Sequence, residues 1–295
     1  KKLLRSLGIA LVVMSATVVP AQTTAVDDVR TQIVAAVSKY QGGDLDGAIH
    51  DLEATLEKNP KNADVLSWLG FFYIKNNDND KAVMVLERAQ EVRPDDLEIM
   101  NNLGNAYLAL KEDDKALAQY RKVVEKSPEM ADAWYNVGGI CLRKHDYKGA
   151  IQAYEKAMSL KPDSADAFTI NNCGIAYEGD GQLSMAADCY RKAVAARPEE
   201  VLFSRNAGFA LLRLKQEDDA IPYLETAAKS GDDMNATFAL AQIYLKKGRK
   251  EDALTMFSAL ENTHGDKSDY WYNLGVLKAG TGDDKRAEDA YRKPI

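Results

Sequence analysis

The chain has 295 residues, 46% apolar and 28% charged, with 19 glycines and 8 prolines; this excludes a disordered or fibrous chain and leaves material for one large or two ordinary domains. Its formal net charge of −7 disfavours nucleic acid and anionic lipid as partners and favours neutral or cationic ones.

In chain order, "KKLLRS" reads as a basic start, residues 7–19 ("LGIALVVMSATVV") as an apolar run, and "VPAQ" as a cleavage site after Ala21. The run falls short of the ~20 apolar residues that span a bilayer. A cleaved signal peptide over 1–21 is expected, with a short membrane anchor as the alternative. No cysteine lies nearby to carry a lipid. The first residue is Lys1 rather than Met, so at least one residue is expected to be omitted. Cleavage removes Lys1, Lys2 and Arg5 and no acids, taking the net charge to −10. Residues 22–28 read as a linker. The expected location is periplasmic or secreted in a bacterium, with no membrane insertion once the signal is removed.

From residue 29 a period dominates. Pro60, Pro94, Pro128 and Pro162 are each 34 residues apart. Ala48, Ala82, Ala116, Ala150, Ala186, Ala220, Ala253 and Ala287 form a second ladder, and Gly70, Gly104, Gly138, Gly174, Gly208 and Gly275 a third. Each unit reads as two helices. "DVLSWLGFFYIK" has helical apolar spacing, "NNDND" breaks and caps it, "KAVMVLERAQEV" is a second helix, and "RPDD" ends the unit. Glycine inside a helix costs ~1 kcal/mol against alanine, so its recurrence implies close packing. Numbering each repeat from 1, glycine at position 8 is expected to face alanine at position 20. Residues 165–179 ("ADAFTINNCGIAYEG") carry two extra residues. Starting that helix at Ala167 restores the register and leaves the extra residues in the preceding connection, with Phe168 exposed at position 2.

These ladders resemble the tetratricopeptide repeat family. Its pattern appears as Trp271, Leu274, Gly275, Ala287 and Tyr291, and as Met100, Leu103, Gly104, Tyr107, Ala116, Tyr120 and Pro128. Repeats fall at 29–62, 63–96, 97–130, 131–166, 167–200, 201–233, 234–267 and 268–295. The resemblance implies an all-α, right-handed superhelical solenoid of about eight helix-turn-helix repeats over 29–295. The first repeat departs, with Ala36 and Lys39 in place of the glycine and tyrosine. The last stops at "AYRKPI", which suggests a continuation beyond Ile295. Pro222 is expected in the first turn of a second helix, where its missing N–H does little harm.

The resemblance also implies a concave groove lined by the first helices. A peptide-binding set is expected at Asn101, Asn102, Asn105, Tyr135, Asn136, Asn171, Asn172, Arg205, Asn206 and Phe209. Asparagine amides suit an extended backbone, aromatic rings cover side chains, and arginine pairs with acids. Structural use of these asparagines is the competing reading. The lysine and asparagine pattern with which some family members grip a C-terminal carboxylate is absent, since no repeat has Lys at position 5.

No catalytic constellation or cofactor motif stands out, and no cofactor or metal is expected. His50, His145 and His264 lack metal spacing. The acid clusters at 112–114, 217–219 and 283–284 read as helix caps. Cys141, Cys173 and Cys189 read as three buried thiols or as one Cys173–Cys189 bridge plus one thiol. The leading function is a non-enzymatic scaffold for a protein or peptide partner in an envelope assembly. The alternatives are the recruiting region of a longer enzyme or regulator, and a small-ligand carrier. Self-association through the terminal repeat stays open.

Overall fold

A computed structural model describes residues 25–161, 166–229 and 233–293. All regular structure among them is helical: α1 (Ala25–Gln41), α2 (Leu45–Lys58), α3 (Ala63–Lys75), α4 (Asn79–Val92), α5 (Leu97–Ala109), α6 (Asp113–Lys126), α7 (Ala131–Arg143), α8 (Tyr147–Leu160), α9 (Ala167–Gly179), α10 (Leu183–Ala196), α11 (Val201–Arg213), α12 (Glu217–Ala228), α13 (Met234–Lys246), α14 (Lys250–Ser258), the single-turn α15 (Glu261–His264), α16 (Ser268–Gly280) and α17 (Asp284–Tyr291). The expected signal peptide lies outside the described residues. No described helix is long and apolar enough to cross a membrane. The chain divides into two compact units between Ile140 and Cys141, near the end of α7.

Seven of the eight expected first-helix starts, from Ala63 to Ser268, coincide with helix starts. The first does not. Helix α1 begins at Ala25, so residues 25–28 are helix rather than linker. Asp28 in its opening turn suits the positive end of the helix dipole. The two extra residues lie between α8 and α9, where the connection covers 161–166 while those after α2, α4, α6 and α10 have four residues. Residues 162–165 of that connection are outside the described set.

Capping shapes both kinds of break. Asn62 accepts from the N–H groups of Asp64 and Val65, and Asp96 from those of Glu98 and Ile99. Asp44, Asp146, Asp233 and Asp283 accept from Gly47, Gly149, Ala236 and Arg286. Each oxygen satisfies a donor that has no partner inside the helix. Of the expected acidic caps, Glu112 makes no capping bond and pairs instead with Lys115. Every first helix ends in a left-handed residue at position 15: Gly43, Asn77, Lys111, His145, Gly181, Lys215, Gly248 and Gly282. The N–H of Asp78 then reaches the Tyr73 carbonyl at 2.8 Å, closing the helix C-terminus.

Within a repeat the glycine does not face alanine. A Cβ on Gly104 would stand 2.8 Å from Cε1 of Tyr120, one on Gly174 2.7 Å from Tyr190, and one on Gly208 2.8 Å from Leu224. The partner is therefore position 24, whose large side chain fills the space left by the missing Cβ. Leu52, Leu86, Tyr120, Tyr154, Tyr190, Leu224 and Phe257 are all buried there. The position-20 alanines are also buried.

Between repeats, each second helix packs on the next first helix: α2 on α3 and α4 on α5 in the first unit; α8 on α9, α10 on α11, α12 on α13 and α14 on α16 in the second. A polar tie recurs at these junctions. Tyr73 donates to Glu53 at 2.6 Å, Tyr107 to Glu87 at 2.5 Å, Tyr244 to Glu225 at 2.7 Å, and Tyr177 to Glu155. Position 11 thus reaches position 25 of the preceding repeat. Burial first, and the adjacent carboxylate second, push the Tyr73, Tyr107 and Tyr177 hydroxyls above the usual phenol range.

No disulfide joins the three cysteines, and all three are buried. A hydrogen bond with Cys189, together with burial, pushes the Cys173 thiol up. The thiol reagent DTNB is expected to react with none of them in the native protein and with three after denaturation in the absence of reductant. Recovery of a single thiol would mean that Cys173 and Cys189 are bridged. Helix α12 brings a correction. It begins at Glu217, so Pro222 lies in the second turn rather than the first. His264 ends α15, is buried, and lies 2.8 Å from the Thr263 hydroxyl through Nδ1.

Candidate ligand-binding face

In each unit the first helices of neighbouring repeats touch, α1 with α3 and α3 with α5, then α11 with α13 and α13 with α16. Second helices have no comparable mutual contact among the described residues. The first-helix side is therefore the closely spaced, inner side of each unit. Positions 2, 5, 6, 9, 12 and 13 are the ones expected there.

In the first unit Asn101 and Asn136 are half-buried, and Tyr135 is 36% exposed. Asn105 accepts a hydrogen bond from the Tyr120 hydroxyl at 2.5 Å, which ties it to the core. Asn102 is only 5% exposed, and its Nδ2 is a buried donor with no partner. An unmet buried donor costs about 1–3 kcal/mol.

The second unit treats the equivalent asparagine differently. Asn206 Nδ2 donates to Asn171 Oδ1 at 2.8 Å, joining α11 to α9. Asn171 is 1% exposed, so it supports Asn206 from beneath rather than presenting its amide on the face. Asn172 and Phe209 are half-buried. Phe168, expected to be exposed, is half-buried against Phe203 with ring centroids 5.1 Å apart, and the Arg197 guanidinium covers it.

Arg205 at position 5 and three of the cations at position 13 are already engaged. Arg205 pairs with Asp233 at 3.0 Å and lies over Phe209. Arg213 pairs with Glu178, which also accepts from the Tyr190 hydroxyl at 2.7 Å. Lys246 pairs with Glu217. Lys75 lies 5.1 Å over the Phe71 ring. Exposed pairs such as these each contribute at most about 1 kcal/mol, but they offset the local positive charge.

Two groups of the first unit escaped the sequence reading. Trp68 stands at position 6, where five other repeats have asparagine. It meets Phe71 edge-to-face at 5.8 Å, and Tyr40 meets Phe71 likewise at 5.7 Å. All three rings are half-buried. Position 2 of three successive repeats is acidic: Asp64, Glu98 and Asp132. Arg93 grips Asp64 through two bonds of 2.7 and 2.9 Å and approaches Asp96 at 3.7 Å. Burial first, then the charges of Asp96 and Asp64, hold the Glu98 carboxyl above the usual range. The same 34-residue period that exposed the glycines could have exposed this row. Among the described residues, no cluster of three or more His, Cys, Asp or Glu is placed to hold a metal ion.

Comparison with known proteins agrees with this architecture. Family models described as tetratricopeptide repeat match residues 40–98 and 211–277, residues 129–199, and residues 72–130 and 174–236. No curated protein matches the chain. Among solved structures, the C-terminal part of a TPR repeat-containing protein from Cytophaga hutchinsonii superposes with a TM-score of 0.71 at 17% identity, over 82% of this chain and 99% of that one. A tetratricopeptide repeat protein from Parabacteroides merdae gives 0.59 at 19% identity, over 84% and 98%. MamA from Desulfovibrio magneticus RS-1, residue 41 to its end, gives 0.54 at 24% identity, over 58% and 97%. With helix pairs in one register and family matches that together run from residue 40 to 277, the chain belongs to the tetratricopeptide repeat family.

Proposed function

We propose that the protein is an exported, non-enzymatic bacterial scaffold that binds an extended segment of a partner protein on the inner face of its first helices. Tetratricopeptide repeats are in general protein-interaction scaffolds, and that much follows from family membership. The observation that carries the finer reading is Asn102. Its buried Nδ2 lacks the acceptor that the equivalent Asn206 finds in Asn171. A partner backbone carbonyl would supply that acceptor. The signal-like start at residues 1–21 supports export, and the bacterial sources of the similar structures agree with the host.

Photo-crosslinking in the producing cell tests this reading. Benzoylphenylalanine at Tyr135, on the inner face, is expected to trap a partner; at Met84, 65% exposed on second helix α4, it is not. Asn102→Ala is expected to weaken capture about five- to tenfold, one hydrogen bond's worth, without lowering the melting temperature. Adducts from Met84 but none from Tyr135 would move binding to the second helices.

A further inference from the structure

We propose that the inner face of the first unit takes a basic partner segment, with lysine or arginine side chains received by the Phe71 and Trp68 rings and by the Glu98 carboxylate cluster. This rests on the inner-face reading above and names the chemistry of its partner.

Charge is the first argument, and it is unevenly spread. Residues 25–140 hold 21 acids against 13 lysines and arginines, a net −8; residues 141–295 hold 24 against 22, a net −2. The field that draws a cation therefore belongs to the first unit. There, Asp64 and Asp96 share one guanidinium, that of Arg93. Glu98, itself exposed, is left against two like charges. An incoming cation would relieve that repulsion.

The rings are the second argument. The edge-to-face contacts among Tyr40, Phe71 and Trp68 set one ring's edge against another's face, and each ring stays half-exposed to an incoming group. Phe71 already accepts an ammonium, since Lys75 Nζ stands 5.1 Å from its centroid. A partner lysine or arginine could take the place of Lys75 or use Trp68, the better ring for a cation. Val34, 58% exposed, continues the same position-6 row with apolar surface for the partner's aliphatic stem. Asn102, nine-tenths buried with an unmet donor, stands in that row too. In the second unit the corresponding aromatic, Phe209, has Arg205 over it, and Arg205 is itself held by Asp233.

Fluorescence anisotropy on the full chain tests the proposal with a labelled peptide Gly-Lys-Ser-Lys-Gly-Lys-Ser-Lys and its counterpart bearing Glu for every Lys. The basic peptide is expected to bind and the acidic one not. Raising the salt from about 50 to about 500 mM should weaken binding about tenfold. Phe71→Leu is expected to cost about fivefold and Glu98→Lys about tenfold, while Met84→Ala on second helix α4 changes nothing. Glu98→Gln separates binding from misfolding. It removes one of three neighbouring negative charges, so the melting temperature at neutral pH should hold or rise while binding of the basic peptide falls. Equal binding of both peptides, or basic-peptide binding untouched by Phe71→Leu and Glu98→Lys, would overturn the proposal. So would a chain that self-associates through this face and excludes the peptide. If crosslinking from Tyr135 succeeds and the peptide assay fails, the inner-face reading stands and the basic-partner inference falls.

Discussion

Tyr120→Ala is expected to lower the stability of the first unit by about 3–5 kcal/mol, the usual range for emptying a buried aromatic site. Tyr120 is fully buried, lies over Gly104 and donates its hydroxyl to Asn105 at 2.5 Å. Its ring occupies the space where a Cβ of residue 104 would sit, with Cε1, Cζ and Cδ1 at 2.8, 2.9 and 3.1 Å. A buried ring held by a hydrogen bond cannot swing aside without cost. Gly104→Ala in the natural chain is therefore expected to destabilise by about 1–2 kcal/mol, overpacking outweighing the ~1 kcal/mol gain in helix propensity. The sign should reverse once the ring is gone. In a Tyr120→Ala background only the propensity term survives, and Gly104→Ala becomes stabilising by up to about 1 kcal/mol. Urea denaturation of the four variants, followed by circular dichroism, measures this cycle. A Gly104→Ala effect of the same sign in both backgrounds would mean that the glycine is there for another reason.

That pairing also shows where sequence reading stopped. The helix starts were legible because one spacing recurs through the chain, and the two-residue slip at 165–179 could be resolved by asking which register kept Gly174 in its ladder. The cross-helix partner of the glycine was not legible. Two small-residue ladders, at positions 8 and 20, invite the idea that they meet. Position 24 hides because it varies among Leu, Tyr and Phe, and what unites it is volume rather than identity. The left-handed position 15 hides similarly: Gly43, Gly181, Gly248 and Gly282 advertise it, while Asn77, Lys111, His145 and Lys215 do not.

Long-range polar ties needed coordinates first and then became readable. Once Tyr107 is seen on Glu87, position 11 can be compared with position 25 one repeat earlier. Tyr73, Tyr107, Tyr177 and Tyr244 each follow a glutamate there; Cys141 and Leu211, which have no phenol, follow Arg121 and Arg191. The glutamate is kept only where a hydroxyl meets it. Ligand-face charges were harder still. Arg205, Arg213 and Lys246 look available in a linear string, yet their partners Asp233, Glu178 and Glu217 lie 28, 35 and 29 residues away. Asn171 and Asn206 look alike in sequence, yet one is sealed and supports the other.

Pro222→Ala is expected to stabilise the second unit by about 2 kcal/mol. A proline in a helix interior costs about 3 kcal/mol, through the lost hydrogen bond and the clash with the carbonyl four residues back. Against this, proline narrows the unfolded ensemble and so returns about 0.4–1 kcal/mol. In α12 the ladder is already running when Pro222 is reached, since Ala220 N–H bonds the Gln216 carbonyl at 3.1 Å. The N–H that alanine restores at 222 would point to the Asp218 carbonyl, which proline leaves without its helical donor. The Thr226 hydroxyl donates to the Pro222 carbonyl at 3.0 Å, and alanine keeps that acceptor. Residue 222 is exposed, so the exchange empties no core. Thermal unfolding by calorimetry should show an upward shift, with hydrogen exchange slowed most in α12. An unchanged or lower melting temperature would mean that the bend set by proline matches the seat of α12 on α11 and α13, and that straightening it costs as much packing as the restored bond supplies.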